Sequence, residues 1–280
     1  MRLWIIIGWI GVMIGACTKP NGQASYVIFY PTFQTTPGQG SPLQQFSEYH
    51  VYVNNIFHGA FVPGTSIPIL ADLPVDLQIL PGIRENGISS APMVYNLVTP
   101  WVKQSKLVPG QETVLQTEFS YKSVARFRWL EEFEARSHSV SLDLDQDSLT
   151  VCRQSEKTDT LSGHFGEILL TPNHPYIFVA QSLPISGVPT DGRPVFLEMH
   201  YRNDIEFRVG LQGSEGGTTP VNQLKVALRP RSAWNKIYIN FTPDVQASDL
   251  SFYRIIFEAQ LPDGMEVGRI SLDNLRLIHL

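Results

Sequence analysis

Short alternating runs set the fold of this chain more tightly than any other feature. Between residues 121 and 280 they recur at 140–144, 167–170, 176–180, 194–201, 206–211, 224–228, 235–241, 252–259 and 269–278, with turn residues between them. Runs at this spacing predict a β-sandwich or jelly roll. The sharpest is Trp234-Asn235-Lys236-Ile237-Tyr238-Ile239-Asn240-Phe241. Strand side chains alternate between faces, so Trp234, Lys236, Tyr238 and Asn240 share one side and Asn235, Ile237, Ile239 and Phe241 the other. The second set is the core side. The first mixes aromatic and polar groups, which suits a ligand-facing surface; a Trp234 that covers the sandwich edge is the alternative. No GxGxxG, P-loop or βαβ rhythm is present, which disfavours a nucleotide-binding α/β fold. The stretch 124–133 fits either a helical face (Val124, Phe127, Leu130, Phe133) or a strand, and its Tyr and Phe neighbours favour a strand.

Upstream, 26–30 is strand-like and 35–42 (TTPGQGSP) is a loop. His50-Val51-Tyr52-Val53 alternates, Asn54-Asn55 is turn-like, and 56–62 returns as a second strand. Further strands are expected at 67–70 and 75–80, punctuated by Pro81-Gly82, then at 95–102 and 112–119. The expected class is all-β: a small β-sandwich over 47–120, followed by a jelly-roll β-sandwich over 121–280. Residues 17–46 supply a tether and a first strand. The tether lets the folded part stand off a membrane.

The start of the chain gives an address. Met1-Arg2 is a short positive opening, and Leu3 to Ala16 is an uncharged run of fourteen residues. A spanning helix needs about 20 apolar residues, so the run has the length of a signal-peptide core instead. It ends in Ile14-Gly15-Ala16-Cys17. This resembles the lipobox of bacterial lipoproteins: an aliphatic residue, two small residues and a cysteine. The resemblance implies a signal peptide over 1–16, lipidation (palmitate among the acyl groups) at Cys17, and a mature chain anchored in the cell envelope. Thr18 and Lys19 follow the cysteine where Asp commonly marks inner-membrane retention, which points to the outer membrane. The only other thiol is Cys152. With Cys17 lipidated no intramolecular disulfide forms, and the core alone must hold the fold; 43% hydrophobic residues suffice for that. Lys and Arg total 21 against 26 Asp and Glu, a formal charge of −5, so no basic excess exists to bind nucleic acid.

Two further resemblances bear on function. The order HVYVNNIFHGAFVPGTSIPIL…LPVDLQILPGI is similar to PEGA-type envelope domains, which implies a spacer or contact module. The 121–280 segment opens with Glu131-Glu132-Phe133-Glu134 and closes with Ile270-Ser271-Leu272-Asp273-Asn274-Leu275. It resembles the galactose-binding-type jelly roll of many carbohydrate-binding modules. That family often holds a structural calcium ion between a first-strand Glu and a last-strand Asp, which map onto Glu134 and Asp273. Two neighbouring carboxylates repel unless a hard cation sits between them; strand caps or Arg partners are the alternative. Aromatic platforms bind sugar in such modules, which makes Trp234, Lys236 and Tyr238 the candidate ligand residues.

Catalytic signals are weak. Asp143-Leu144-Asp145-Gln146-Asp147 has the opening spacing of an EF-hand, but Ser148 replaces the turn Gly and Gln154 the bidentate Glu. None of the seven His residues forms HExxH, and no GxSxG elbow occurs. Glu198 and His200 share a strand face, a surface pattern far commoner than an acid–base pair. No catalytic residue is assigned. The reading is a lipid-anchored envelope protein that binds or scaffolds, with glycan or other envelope proteins as partner. An accessory protein or enzyme of carbohydrate metabolism is the alternative.

Overall fold

The computed structural model describes residues 22–70, 74–156, 161, 163–215 and 219–280. Cys17 and the leader lie outside the described residues. The first half carries β1 (Ser25–Gln34), β2 (Glu48–Val53), β3 (Ile56–Phe61), β4 (Ile67–Ile69), β5 (Val75–Arg84), β6 (Pro92–Val94), β7 (Trp101–Ser105) and β8 (Glu112–Ser120). The second half carries β9 (Arg126–Glu131), β10 (Val140–Asp143), β11 (Arg153–Gln154), β12 (Gly166–Leu170), β13 (Tyr176–Gln181) and β14 (Ile185–Ser186). There follow β15 (Val195–Asn203), β16 (Phe207–Ser214), β17 (Val221–Leu228), β18 (Arg231–Asn240), the helix α1 (Thr242–Ser248), β19 (Phe252–Gln260) and β20 (Gly268–His279). The chain is all-β, as its periodicity predicts; α1 is the one helix among the described residues.

In the first half a three-stranded sheet, β4-β1-β8, faces a five-stranded one, β3-β2-β5-β6 with β7 also on β5. β1 and β8 run parallel from Tyr26↔Glu112 to Gln34↔Ser120. Val27, Phe29, Ile67, Ile69 and Leu115 meet Val51, Leu77 and Ile79 in the core between the sheets. The turn of the β2–β3 hairpin falls at Asn54 and Asn55, with φ of 51° and 64°. Asn tolerates this left-handed region, and two such residues in succession match the twist of a two-residue hairpin.

The second half is a sandwich of two six-stranded sheets. One runs β10-β13-β19-β16-β17, with β14 on β19; the other runs β11-β12-β20-β15-β18, with β9 on β20. The 124–133 stretch is therefore a strand, pairing Leu277 with Trp129 and Arg276 with Leu130. Leu197, Met199, Ile237, Ile239, Leu272 and Leu277 point inward from the second sheet against Val179, Val209, Ile255 and Phe257 of the first. Alternation then sends Phe196, Glu198, His200 and Arg202 of β15, with Lys236 and Tyr238 of β18, to the outer face. Phe196, Tyr238 and Ile278 on that face belong to the core of the first half. The two halves therefore share one apolar seam.

Candidate functional site

The outer face of the β11-β12-β20-β15-β18 sheet divides into a sealed half and an open half. The sealed half holds a buried ion cluster. Lys236 Nζ lies 2.7 Å and Arg276 Nε 3.3 Å from Glu198 Oε2, with all three side chains fully buried. Glu198 Oε1 accepts hydrogen bonds from Tyr95 (2.6 Å) and Tyr121 (2.8 Å), both packed in the core of the first half. Burial alone would raise the pKa of Glu198, but Lys236 and Arg276 outweigh it and hold the carboxyl at about 2. Burial, reinforced by the same two cations, pulls His200 down to about 3, so its ring is neutral near pH 7.

Two basic groups face one carboxylate, burial pulls Lys236 down to about 7, and main-chain oxygens accept from both. Arg276 donates to the carbonyls of Gln39 (2.7 Å) and Ser41 (2.9 Å), and Lys236 Nζ to that of Leu43 (3.0 Å). The acceptors fall at every second residue. The segment 39–45 therefore lies across the face as a strap. Its side chains join in. Gln45 Oε1 accepts from Lys236 N at 2.9 Å, Tyr238 Oη donates to Gln44 Oε1 at 3.0 Å, and Gln44 Nε2 donates to Tyr121 Oη at 2.7 Å. Phe46 stacks on Tyr238 at 6.0 Å. The sheet edge is closed as well: Asn86 N donates to Tyr238 O, and Asn240 N to Asn86 Oδ1. Capping an edge strand in this way removes a template for aggregation.

The open half begins where the strap ends. Arg202 Cζ sits 4.9 Å from the Trp234 ring centroid and 5.1 Å from that of Phe165, and the two rings meet edge-on at 5.6 Å. Arg202 and Phe165 line a groove of about 700 Å³ together with Arg153, Glu167, Leu169 and Arg269. The strand registers place Arg153 opposite Glu167, Glu167 opposite Ser271, and Ser271 opposite Arg202. One row across four strands therefore reads Arg-Glu-Ser-Arg. In the adjacent row Leu169 is opposite Arg269. Leu169 is 44% exposed, and Leu149 on the groove wall is 58% exposed.

The residues singled out from sequence separate. Trp234, Lys236 and Tyr238 do not form one ligand-facing row. Lys236 and Tyr238 are floor of the sealed half, because the strap and the tyrosines of the first half cover them. Trp234 stands apart from them at the edge of the open half. Glu134 is exposed and accepts the His164 N–H at 3.1 Å, whereas Asp273 is 1% exposed and accepts the N–H of Asn274 at 2.7 Å. The residue opposite Leu275 in the ladder is Glu131, which accepts Phe133 N, Ser139 N and Ser139 Oγ and so ties down its own loop. Among the described residues no group of three His, Cys, Asp or Glu side chains is placed to hold a metal ion. The Glu198–His200 pair is sealed rather than exposed. Cys152 is buried, and burial pushes its thiol well above the usual range. Tyr95, Tyr121, Arg153, Arg202 and Arg269 carry the face, and each is silent in sequence because strand registers bring them there.

No protein family and no curated protein matches this chain. Among solved structures it is similar to the family 11 carbohydrate-binding module of the cellulosomal cellulase Lic26A-Cel5E of Clostridium thermocellum. That match has 15% identity, 56% of this chain and 97% of that one covered, and a TM-score of 0.41. The xylan-binding domain of carbohydrate-binding module family 22 gives 11% identity, 56% and 96% coverage, and a TM-score of 0.39. The enzymatically active domain of tailspike protein 4 of bacteriophage CBA120 gives 12% identity and a TM-score of 0.36, with 46% of this chain but only 17% of the tailspike chain covered.

Proposed function

We propose that this chain is a non-catalytic glycan-binding module, held at the cell envelope through a lipid on Cys17, most simply in an outer membrane. The carrying observation is the Trp234–Arg202–Phe165 stack beside the open groove. A saccharide needs an apolar surface for its C–H face and fixed polar groups for its hydroxyls. Leu169 and Phe165 supply the first; Glu167, Gln154 and the arginines supply the second. The absence of catalysis rests on the sealing of Glu198 and His200, the one acid–base pair that the sequence suggests. The anchor rests on the leader and Ile14-Gly15-Ala16-Cys17; no described helix is long and apolar enough to cross a membrane.

A glycan array probed with the mature chain tests the binding. Retention of at least one saccharide class, weakened about tenfold by Trp234→Ala, supports it, and an array without a single hit overturns it. Metabolic labelling with palmitate that is lost in Cys17→Ser tests the anchor. One observation favours a scaffold as second reading. Phe57, Tyr52, Gln78 and Val102 are successive partners across β3, β2, β5 and β7, with Phe57 52% and Val102 64% exposed. Cross-linking that captures an envelope protein on this row, together with an empty array, would make scaffolding the primary role.

A further inference from the structure

We infer that the groove on the open half selects an acidic saccharide, one carrying carboxylates; this rests on the glycan-binding reading above. The argument begins with spacing. Neighbouring strands lie about 4.8 Å apart, so Arg153 and Arg202, three strands apart in one row, have backbones about 14 Å from each other. Arg269 stands in the next row, beside Leu169. Three guanidinium groups thus rim a groove whose floor includes an exposed leucine. Arg153 and Arg269 are exposed and make no ion pair with a described residue. Arg202 is already engaged by the aromatic rings and by Ser271 Oγ at 3.5 Å.

A neutral saccharide would leave those two cations unused. A uronate chain would set its ring C–H groups on Leu169 and Phe165 and give its carboxylates to Arg153 and Arg269. A guanidinium fork matches a carboxylate with two parallel hydrogen bonds, which adds orientation as well as charge. Glu167 is the discriminating element at the centre of the row, and Glu156 is the other carboxylate of the lining. Glu167 stands between Arg153 and Ser271 in the row, and among the described residues it makes no ion pair with Arg153 or Arg269. Its charge opposes a second carboxylate at that point, so the ligand's acidic groups fall at the two ends of the groove and not over its centre.

The test is affinity electrophoresis of the full mature chain in gels containing soluble polygalacturonate or, separately, a neutral mixed-linkage β-glucan. Retardation by polygalacturonate alone is expected. It should fall at least tenfold in Arg153→Ala/Arg269→Ala, rise in Glu167→Gln, and weaken as salt is added. Arg153 and Arg269 are exposed and Glu167 is half-buried, and thermal melting confirms that each variant is folded. Retardation by the neutral glucan alone overturns the acidic preference and leaves the glycan reading standing. Polygalacturonate binding that is indifferent to the double substitution overturns the assigned groove. No retardation in either gel overturns the acidic preference, and an empty glycan array beside it removes the glycan reading too.

Discussion

Tyr95 and Glu198 are 103 residues apart in sequence and 2.6 Å apart in the structure, the phenol of one half donating to the sealed carboxylate of the other. Tyr95→Phe removes that donor alone. A hydrogen bond to a charged group contributes about 1.5–3 kcal/mol, and a loss of that size is expected. Glu198→Gln goes further, because Lys236 and Arg276 stay buried without their counter-ion, and breaking a buried pair costs about 3–5 kcal/mol. Urea unfolding followed by tryptophan fluorescence and by circular dichroism measures both. A Glu198→Gln variant as stable as the parent would show that the cluster is not held by charge.

Acid should loosen the same seam. The folded pKa of Glu198 is depressed to about 2 from 4.5, and that of His200 to about 3 from 6.5. In both cases the unfolded chain binds the proton more readily. The contribution of these two groups is therefore complete above about pH 6.5, falls as His200 would protonate, and falls further from about pH 4.5 toward 2. Melting temperature measured across pH 7 to 3 should decline, with a shallower decline between pH 6.5 and 4.5 in His200→Asn. A flat profile would contradict the burial of both groups.

Backbone crowding gives a third test. A Cβ on Gly210 would lie 2.1 Å from Gln223 O and 2.7 Å from Leu224 Cα, where β17 bulges over β16. Both atoms are backbone of β17 and cannot give way cheaply. Gly210→Ala should cost at least about 3 kcal/mol, at the upper end of overpacking penalties. Gly264→Ala meets nothing within 4 Å. Its cost comes only from its φ of +81° and should be about 1 kcal/mol. Urea midpoints of the two variants compare them directly.

The thiol of Cys152 is 4% exposed and its ionisation is suppressed by burial. Since the thiolate is the reactive form, a maleimide should leave Cys152 unmodified in the native chain and label it fully in urea. Peptide mapping by mass spectrometry reads the site. Fast native labelling would mean that the 133–166 region opens readily.

The core strands were legible because burial on one face writes itself into alternation. Ile237, Ile239 and Phe241 are inside, as their period demands. The Asn54-Asn55 turn was legible because few residue pairs accept that backbone. The fate of the other face of β18 was not. Lys236 and Tyr238 have a polar character that suits solvent, and equally suits a lid rich in carbonyls and tyrosines. The deciding partners, Leu43, Gln45 and Gln44, sit about 190 residues upstream, at a distance no local period spans. The groove was hidden for a related reason. Arg153, Glu167, Ser271 and Arg202 come from four strands, and only register aligns them.

The strap has a consequence for how the protein is made. Gln39 leaves the ribosome long before Arg276, which grips its carbonyl from 237 residues downstream. Through most of translation the seat under the strap is unfinished, and Phe46 and Phe196 have no lasting cover. Long-range closure of this kind is slow and exposes apolar surface meanwhile. A nascent form of this chain therefore keeps that apolar seam open until β20 arrives to pair with β9, β12 and β15.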